Sequence, residues 1–351
     1  MRVKISLVLF SIYPLFTACQ SPFSSKSELP AAVLPTSNFL YIASGGCYAG
    51  GVATSAPTNQ IIKVDADTGL IRKVVVDYRT QSPGDSPVSI ASIDSKDLVV
   101  SVENTSGRRL DQIHRDGSGG ALYLLNAAFS QTFRGMSSEA DGSFLISRLG
   151  AVEKFTPFRT RVPAPLVPFI SNPLAAACTG MATNVTFSLE MQNGKVIVGH
   201  EGATPNNKIA NFVNTGYTIA ADCISSKVAP STTAMPTAGV SVSNDTILVA
   251  YAGALPADNK IVSYKIDTTT NNLATATTTT VLNDVSKVLG ASAMAFDSQS
   301  QMLYVASAAS SSERIEKFLW DNTGGTLTRV GTVPFIHASD LGCVSSLMIG
   351  P

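Results

Sequence analysis

One short apolar run returns six times along the 351-residue chain: LYIAS at 40–44, LVVSV at 98–102, FLISR at 144–148, VIVGH at 196–200, ILVAY at 247–251 and LYVAS at 303–307. Their first residues lie 58, 46, 52, 51 and 56 positions apart. Such a period belongs to a unit larger than a hairpin and smaller than a domain. Five of the six runs follow another strand-like stretch and a polar turn: IASIDSKD, MSSEADGS, FSLEMQNGK, VSVSNDT and MAFDSQSQ. The Asp, Asn and Gly residues there supply the backbone conformations that tight hairpins need. A third strand follows, as in NQIIKVDADTG (59–69), NNKIANFVNTG (206–216), NKIVSYKID (259–267) and ERIEKFLWDNTGG (313–325). A fourth is readable in LIRKVVVDY (70–78) and LTRVGTVPF (327–335). A lone four-stranded sheet cannot bury both faces, so such units stack as the blades of a β-propeller.

Six runs predict six blades of four antiparallel strands. The first run lacks a leading strand, whereas CVSSLMIGP (343–351) reads as a leading strand with no partner after it. The two deficits complement each other, so the C-terminal strand is expected to complete the first blade and close the ring. Seven blades is the alternative if one long connection hides a divergent unit. An open solenoid would leave both terminal edges unpaired. Residues 37–351 are read as a single all-β domain.

Hydrophobic residues make up 44% of the chain and charged ones 14%, which excludes a disordered polymer. The 25 basic residues balance the 25 acidic ones, leaving no electrostatic footprint for nucleic acid. At the N-terminus, Arg2 and Lys4 precede an apolar run from Ile5 to Phe16, and small residues Thr17 and Ala18 precede Cys19. That is the layout of an export signal over residues 1–18, too short to span a bilayer. Its end resembles a bacterial lipobox, with Phe16 where leucine is usual. The resemblance implies lipid (palmitate-bearing) modification of Cys19 and, with Gln20 rather than Asp next to it, the outer membrane. Residues 19–36 read as a Ser- and Pro-rich tether. The expected partners are the membrane, through that lipid, and an envelope protein or glycan; the propeller is expected to be a monomer.

The stretch MLYVASAASSSERIEKFLWDNTGGTLTRVGTVP (302–334), with its D-x-x-x-G turn, resembles a repeat of the YVTN and lactonase-like propellers. The likeness covers the sixth repeat well, the first and fifth moderately, and the others only in hydrophobic pattern. It implies the propeller fold and offers a lactonase-like or isomerase-like activity on a small anionic sugar acid. No catalytic motif of that family carries over residue by residue.

Besides Cys19, the chain holds Cys47, Cys178, Cys223 and Cys343. Four cysteines in an exported chain allow three pairings. The expected strand order selects Cys47–Cys343, locking the closing strand, and Cys178–Cys223. With no C-x-x-C spacing and three scattered histidines, neither a metal nor another cofactor is expected. DADTG at 65–69 reads as a turn rather than a calcium loop.

Ring topology sends two sets of connections to one face: those after the second strand of each blade and those before its first. These connections carry Tyr48, Asp85, Tyr251 and Asp340. They also carry the candidate ligand-binding set Glu103, Arg134, Arg148, His200, Glu201 and His337. Histidine, carboxylate and guanidinium could act there as base, proton donor and anion clamp. Trp320 and Phe318 are read as blade-packing residues, and the Thr-rich stretch 268–280 as an edge strand pair. Arg108, Arg109, His114 and Arg115 are read as a solvated loop. The leading expectation is a binding or scaffolding propeller for a protein, peptide or glycan, and the alternative is the lactonase-like enzyme.

Overall fold

A computed structural model describes residues 38–45, 58–104, 107–125, 132–139, 141–156, 161–162, 169–171, 184–191, 193–202, 207–213, 223–307, 313–337 and 341–351. The first blade contains β1 (Phe39–Ser44), β2 (Gln60–Asp65) and β3 (Ile71–Asp77). The second runs β4 (Ser86–Ser92), β5 (Asp97–Asn104), β6 (Gly107–His114) and β7 (Leu122–Leu125). The third has β8 (Phe133–Ser138), β9 (Phe144–Arg148) and β10 (Ala151–Phe155), with its outer edge split into β11 (Arg161–Val162) and β12 (Ile170–Ser171). The fourth is β13 (Asn184–Glu190), β14 (Lys195–Glu201), β15 (Lys208–Val213) and β16 (Cys223–Val228). The fifth is β17 (Met235–Ser241), β18 (Thr246–Ala252), β19 (Lys260–Lys265) and β20 (Thr277–Leu282). The sixth holds β21 (Ala291–Asp297), β22 (Met302–Ser307) and β23 (Arg314–Asp321), its outer edge split into β24 (Thr326–Arg329) and β25 (Ile336–His337).

The last strand, β26 (Ser346–Gly350), joins the first blade as its innermost strand, in the order β26-β1-β2-β3. Leu40 pairs with Ile349 and Ile42 with Leu347 in an antiparallel register. The six innermost strands lie side by side around the axis, β26 next to β4, β4 to β8, β8 to β13, β13 to β17, β17 to β21 and β21 back to β26. The ring is therefore the six-bladed propeller that the repeats predict, closed by the C-terminal strand.

The recurring apolar runs are the second strands, and their lack of alternation has a simple cause. Both faces of each second strand are covered by neighbouring blades, so no side needs polar residues. In β18, Ile247, Val249 and Tyr251 enter the core shared with the fourth blade, while Leu248 and Ala250 enter the core shared with the sixth. In β1, Leu40 and Ile42 face the sixth blade, and Tyr41 and Ala43 face the second. Six such inter-blade cores account for the packing of the described residues. Phe318 and Trp320 are buried in one of them, as read from the sequence.

Three expectations need correction. Residues 268–276 do not form a strand: Asp267 accepts the N–H groups of Thr269 and Thr270 at 2.7 and 2.9 Å and turns the chain. A 3-10 turn over Leu273–Thr275 follows, and only Thr277–Leu282 remains as the edge strand. The fourth strand of the sixth blade stops at Arg329, before a bend at Gly331 with φ of +85°. Finally, the basic segment 108–115 belongs to β6 and its turn rather than to a solvated loop. Arg109 is clamped between the buried carboxylates of Asp85 and Asp111, and Arg115 is 5% exposed. The basic pattern alone did not show that each guanidinium has a partner: Glu103 on the adjacent strand for Arg108, Asp85 and Asp111 for Arg109, and the Asp94 and Pro351 carbonyls for Arg115.

Candidate functional site

The innermost strands carry a shared irregularity. In β8, β13, β17 and β21 the pairing with the second strand skips one residue at the same register: Arg134, Thr186, Thr237 and Ser292. β4 skips Val88 at the equivalent place. A β-bulge adds one unpaired residue and re-aims its side chain. Here Arg134, Thr186, Thr237 and Ser292, joined by Ser345 just before β26, line a cavity of about 70 Å³ on the propeller axis. The strands tolerate this because their inner edges face the channel and have no ladder partner there. The same freedom explains Pro87 and Pro236 inside β4 and β17.

Neighbouring groups hold the ring in place. The Ser345 hydroxyl shares its one proton between the Ala43 carbonyl oxygen at 3.2 Å and the Pro87 carbonyl oxygen of the next blade at 3.1 Å. Ser292 donates to Val344 at 2.8 Å, also across a blade boundary. The Thr186 hydroxyl oxygen is buried with no hydrogen-bond partner among the described residues. A side chain at Gly199 or Gly239 would overlap the Phe187 ring, which lies directly after the bulge residue Thr186. This is why the fourth repeat reads VIVGH where other repeats carry Ala or Ser.

Below the ring the channel widens to about 460 Å³ toward the first-to-second-strand turns. Met136, Leu189, Val240, Met294, Phe296 and Met348 are among its walls, and Asn38, Ser138, Glu190, Ser241, Asp297 and Gln299 bring polar groups to its lower part. Asp297 accepts from Asn38 at 3.0 Å, Ser300 at 2.7 Å and the Gln299 N–H at 3.0 Å. Burial pushes its pKa upward, but these donors outweigh burial and hold the carboxyl below its ordinary range.

The structure disperses the sequence-derived candidates. Arg134 alone among them lines the axial cavity. Glu103 supports it from the second blade: its Oε1 accepts the Phe133 N–H at 2.6 Å and the Arg108 Nε–H at 2.9 Å. Arg108 in turn donates to the Thr132 hydroxyl at 3.1 Å. Arg148 donates to the buried Glu153 at 2.7 Å. His200 is buried within β14, paired with Val185 and Lys208, and Glu201 stands opposite Asn184 at the strand's end. His337 is exposed on the outermost strand of the sixth blade, opposite Arg314, far out along the blade from the inner strand. Asp85 is buried in the pair with Arg109; burial raises its pKa, yet Arg109, Ser82 and Asn104 lower it further. Tyr251 shares a buried hydroxyl pair with Tyr264 at 2.6 Å. Tyr48 and Asp340 lie outside the described residues. The hydroxyl ring was missed because no sequence pattern marks where an inner strand will bulge.

Cys223 and Cys343 are buried. The expected partners Cys178 and Cys47, and the lipid-bearing Cys19, lie outside the described residues. No group of three or more His, Cys, Asp or Glu is placed to hold a metal ion among the described residues. No helix among them is long and apolar enough to cross a membrane.

The chain matches no protein-family model and no curated protein. Solved structures share its fold. A chain of a nidogen/laminin complex is 10% identical, with 90% of this chain and 98% of that one covered and a TM-score of 0.58. A candidate 6-phosphogluconolactonase from Bacteroides fragilis is 11% identical, covering 90% and 99% at a TM-score of 0.54. The PQQ-bound aldose sugar dehydrogenase of Streptomyces coelicolor is 11% identical, covering 81% and 98% at 0.52. At these identities the likeness is one of fold, and that fold includes lactonase-like propellers.

Proposed function

We propose that the protein acts on a small anionic molecule at the propeller axis, in the manner of a lactonase-like enzyme with a sugar-acid-type substrate. The register of the bulges carries this reading. Four consecutive blades direct their one irregular inner-strand residue, Arg134, Thr186, Thr237 and Ser292, to the same level of the channel. A guanidinium presents a fixed fork of donors to a carboxylate or polarises a lactone carbonyl. Hydroxyls both donate and accept, which suits a hydroxylated substrate. The fold shared with lactonase and sugar dehydrogenase propellers is in keeping with it. The test is hydrolysis of a panel of aldonolactones, with calorimetry on the corresponding acids. Arg134→Ala is expected to lower kcat/KM about tenfold or more, from the loss of a charged hydrogen bond worth ~1.5–3 kcal/mol. Thr278→Ala, on the exposed edge of β20, should change nothing. Neither hydrolysis nor binding of any panel member would remove the reading.

A second reading, a binding or scaffolding role toward an envelope protein, peptide or glycan, has its own observation. Leu70 is 58% exposed and Val333 63% exposed, on blades that meet where Gly69 approaches Phe335. Exposed apolar side chains gathered on an outer rim suit a protein partner. A reproducible partner captured from detergent-solubilised membranes, and lost on Leu70→Ser with Val333→Ser, would favour this reading. For the envelope address we propose lipid modification of Cys19 and the outer membrane, with the pairings Cys47–Cys343 and Cys178–Cys223. One mass-spectrometric map of the unreduced protein checks all of this. It should find a lipidated N-terminal peptide at Cys19 and those two crosslinks, and a Cys47–Cys178 link would contradict the pairing.

A further inference from the structure

The groups around the narrow cavity differ in where their protons go, and the difference specifies more of the ligand than its charge. A hydroxyl has one proton to give. Thr237 gives its proton to the Ala250 carbonyl at 3.3 Å, and Ser292 to the Val344 carbonyl at 2.8 Å. Ser345 shares its proton between the Ala43 and Pro87 carbonyls. These hydroxyls, on the fifth, sixth and first blades, have only lone pairs left for the cavity they line. Thr186, on the fourth blade, spends its proton on no partner among the described residues. Arg134, on the third, is a donor only. The cavity is therefore donating on one side and accepting on the other. Its volume of about 70 Å³ is under half the roughly 150 Å³ that encloses a benzene ring. It grips an end group, not a six-membered sugar.

A carboxylate only accepts, so it belongs against Arg134 and Thr186 and is opposed by the lone pairs across the axis. An end group that satisfies both sides carries a donor beside its carboxylate. A neighbouring hydroxyl is such a donor, whereas an ammonium there would set a second cation beside Arg134. The wide part of the channel adds a restriction of its own. Ser241 spends its proton on the Ser243 carbonyl at 3.0 Å. Asp297 takes its hydrogen bonds from Asn38, Ser300 and Gln299, all neutral. Lys317 feels the Asp297 charge but gives its own bonds to the Ala66 and Asp67 carbonyls. That end accepts hydrogen bonds and carries negative charge, which suits ligand hydroxyls and opposes a second anionic group.

Resting on the axial reading above, we propose that the channel recognises a 2-hydroxy acid with a single anionic end. The carboxylate sits at Arg134 and Thr186, the 2-hydroxyl donates to the Thr237, Ser292 and Ser345 oxygens, and the far end is hydroxylated and uncharged. A site built to bond a ligand hydroxyl discriminates strongly against the analogue that lacks it.

Calorimetry with gluconate and five relatives of the same chain length tests the inference: 2-deoxygluconate, 2-deoxy-2-fluorogluconate, 2-amino-2-deoxygluconate, 6-phosphogluconate and glucarate. The deoxy and fluoro acids lack the donor and should bind about tenfold or more weaker than gluconate, because they leave ring oxygens unpaired. Ser292→Ala and Thr237→Val should each narrow that ratio by about threefold or more. The phosphorylated acid and the diacid should bind about tenfold or more weaker than gluconate, and Asp297→Asn should narrow this second ratio. The ratios of the unmodified protein decide the matter even if a variant fails to fold. Equal binding of gluconate and the deoxy acid, both lost with Arg134→Ala, overturns the hydroxyl recognition and leaves the axial reading standing. Tighter binding of the amino acid than of gluconate, or of 6-phosphogluconate than of gluconate, likewise overturns the inference alone. No binding by any of the acids overturns both readings.

Discussion

Asp65, Asp267 and Asp321 do the same local work in three blades. Each stands at or just past the end of a third strand. Its carboxylate accepts backbone N–H groups two or three residues on, and its carbonyl closes a turn at the fourth residue. That fourth residue is left-handed each time: Gly69 at φ +74°, Asn271 at +49° and Gly325 at +63°. The surroundings differ, and so do the expected costs. At Gly325 an added Cβ meets nothing, so Gly325→Ala should cost only the left-handed penalty of about 1–2 kcal/mol. At Gly69 the Cβ would lie 2.7 Å from the Phe335 carbonyl oxygen, so Gly69→Ala should cost clearly more. Asn271→Gly should be neutral or slightly favourable. Urea midpoints of the three variants check the ranking, and equal losses at 69 and 325 would count against the Phe335 contact.

At the level of strands, the second strands were the most legible elements because burial on both faces imposes a continuous apolar run. The outer strands were the least legible. With one edge and much of one face in water, β3 keeps four exposed residues at its start, and the outer edges of the third and sixth blades break into pairs of short strands. The D-x-x-x-G turn and the closing strand could be read from residue type and order. The bulges could not, since Val88, Arg134, Thr186, Thr237 and Ser292 share a register but no residue class. The candidate site was therefore legible at Arg134 and invisible at its hydroxyls. Glu103 was readable as a charged loop residue, yet its work is to hold the start of β8. Its carboxylate takes the Phe133 N–H beside the bulge and pairs with Arg108. Glu103→Ala should cost about 1–3 kcal/mol of stability and weaken axial binding without touching the ligand. Glu103→Gln keeps an acceptor for Phe133 and should restore most of the binding while losing the ion pair. Failure of glutamine to restore binding, with stability recovered, would mean that Glu103 acts on the ligand through its charge.

For the whole ring, the decisive contacts are those that fasten β26, since the first blade alone is assembled from strands far apart in the sequence. Two side chains from different blades hold the Pro351 carbonyl oxygen: the Tyr41 hydroxyl at 3.0 Å and Arg115 Nη1 at 3.2 Å. Arg115 also donates to the Asp94 carbonyl at 2.7 Å and to the Ser92 hydroxyl, and its guanidinium lies 5.4 Å from the centre of the Tyr41 ring. It packs so closely on Gly350 that a Cβ there would strike it. One buried cation thus ties together the first turn of the second blade, the connection that follows its third strand, and the closing strand. Removing it should destabilise the ring by about 2–3 kcal/mol, the upper part of the range for hydrogen bonds to a charged group. Tyr41→Phe, which loses one neutral bond, should cost about 1 kcal/mol. The location of the loss matters more than its size. Amide exchange in Arg115→Ala should quicken first in β26 and β1, the pair that opens as a unit, while β13 to β20 on the far side keep their protection. Arg115→Lys should recover little, because a single ammonium cannot reach three acceptors that a planar fork spans. Uniform quickening through all six blades would mean instead that the ring unfolds in one step and that β26 is no weaker than the rest.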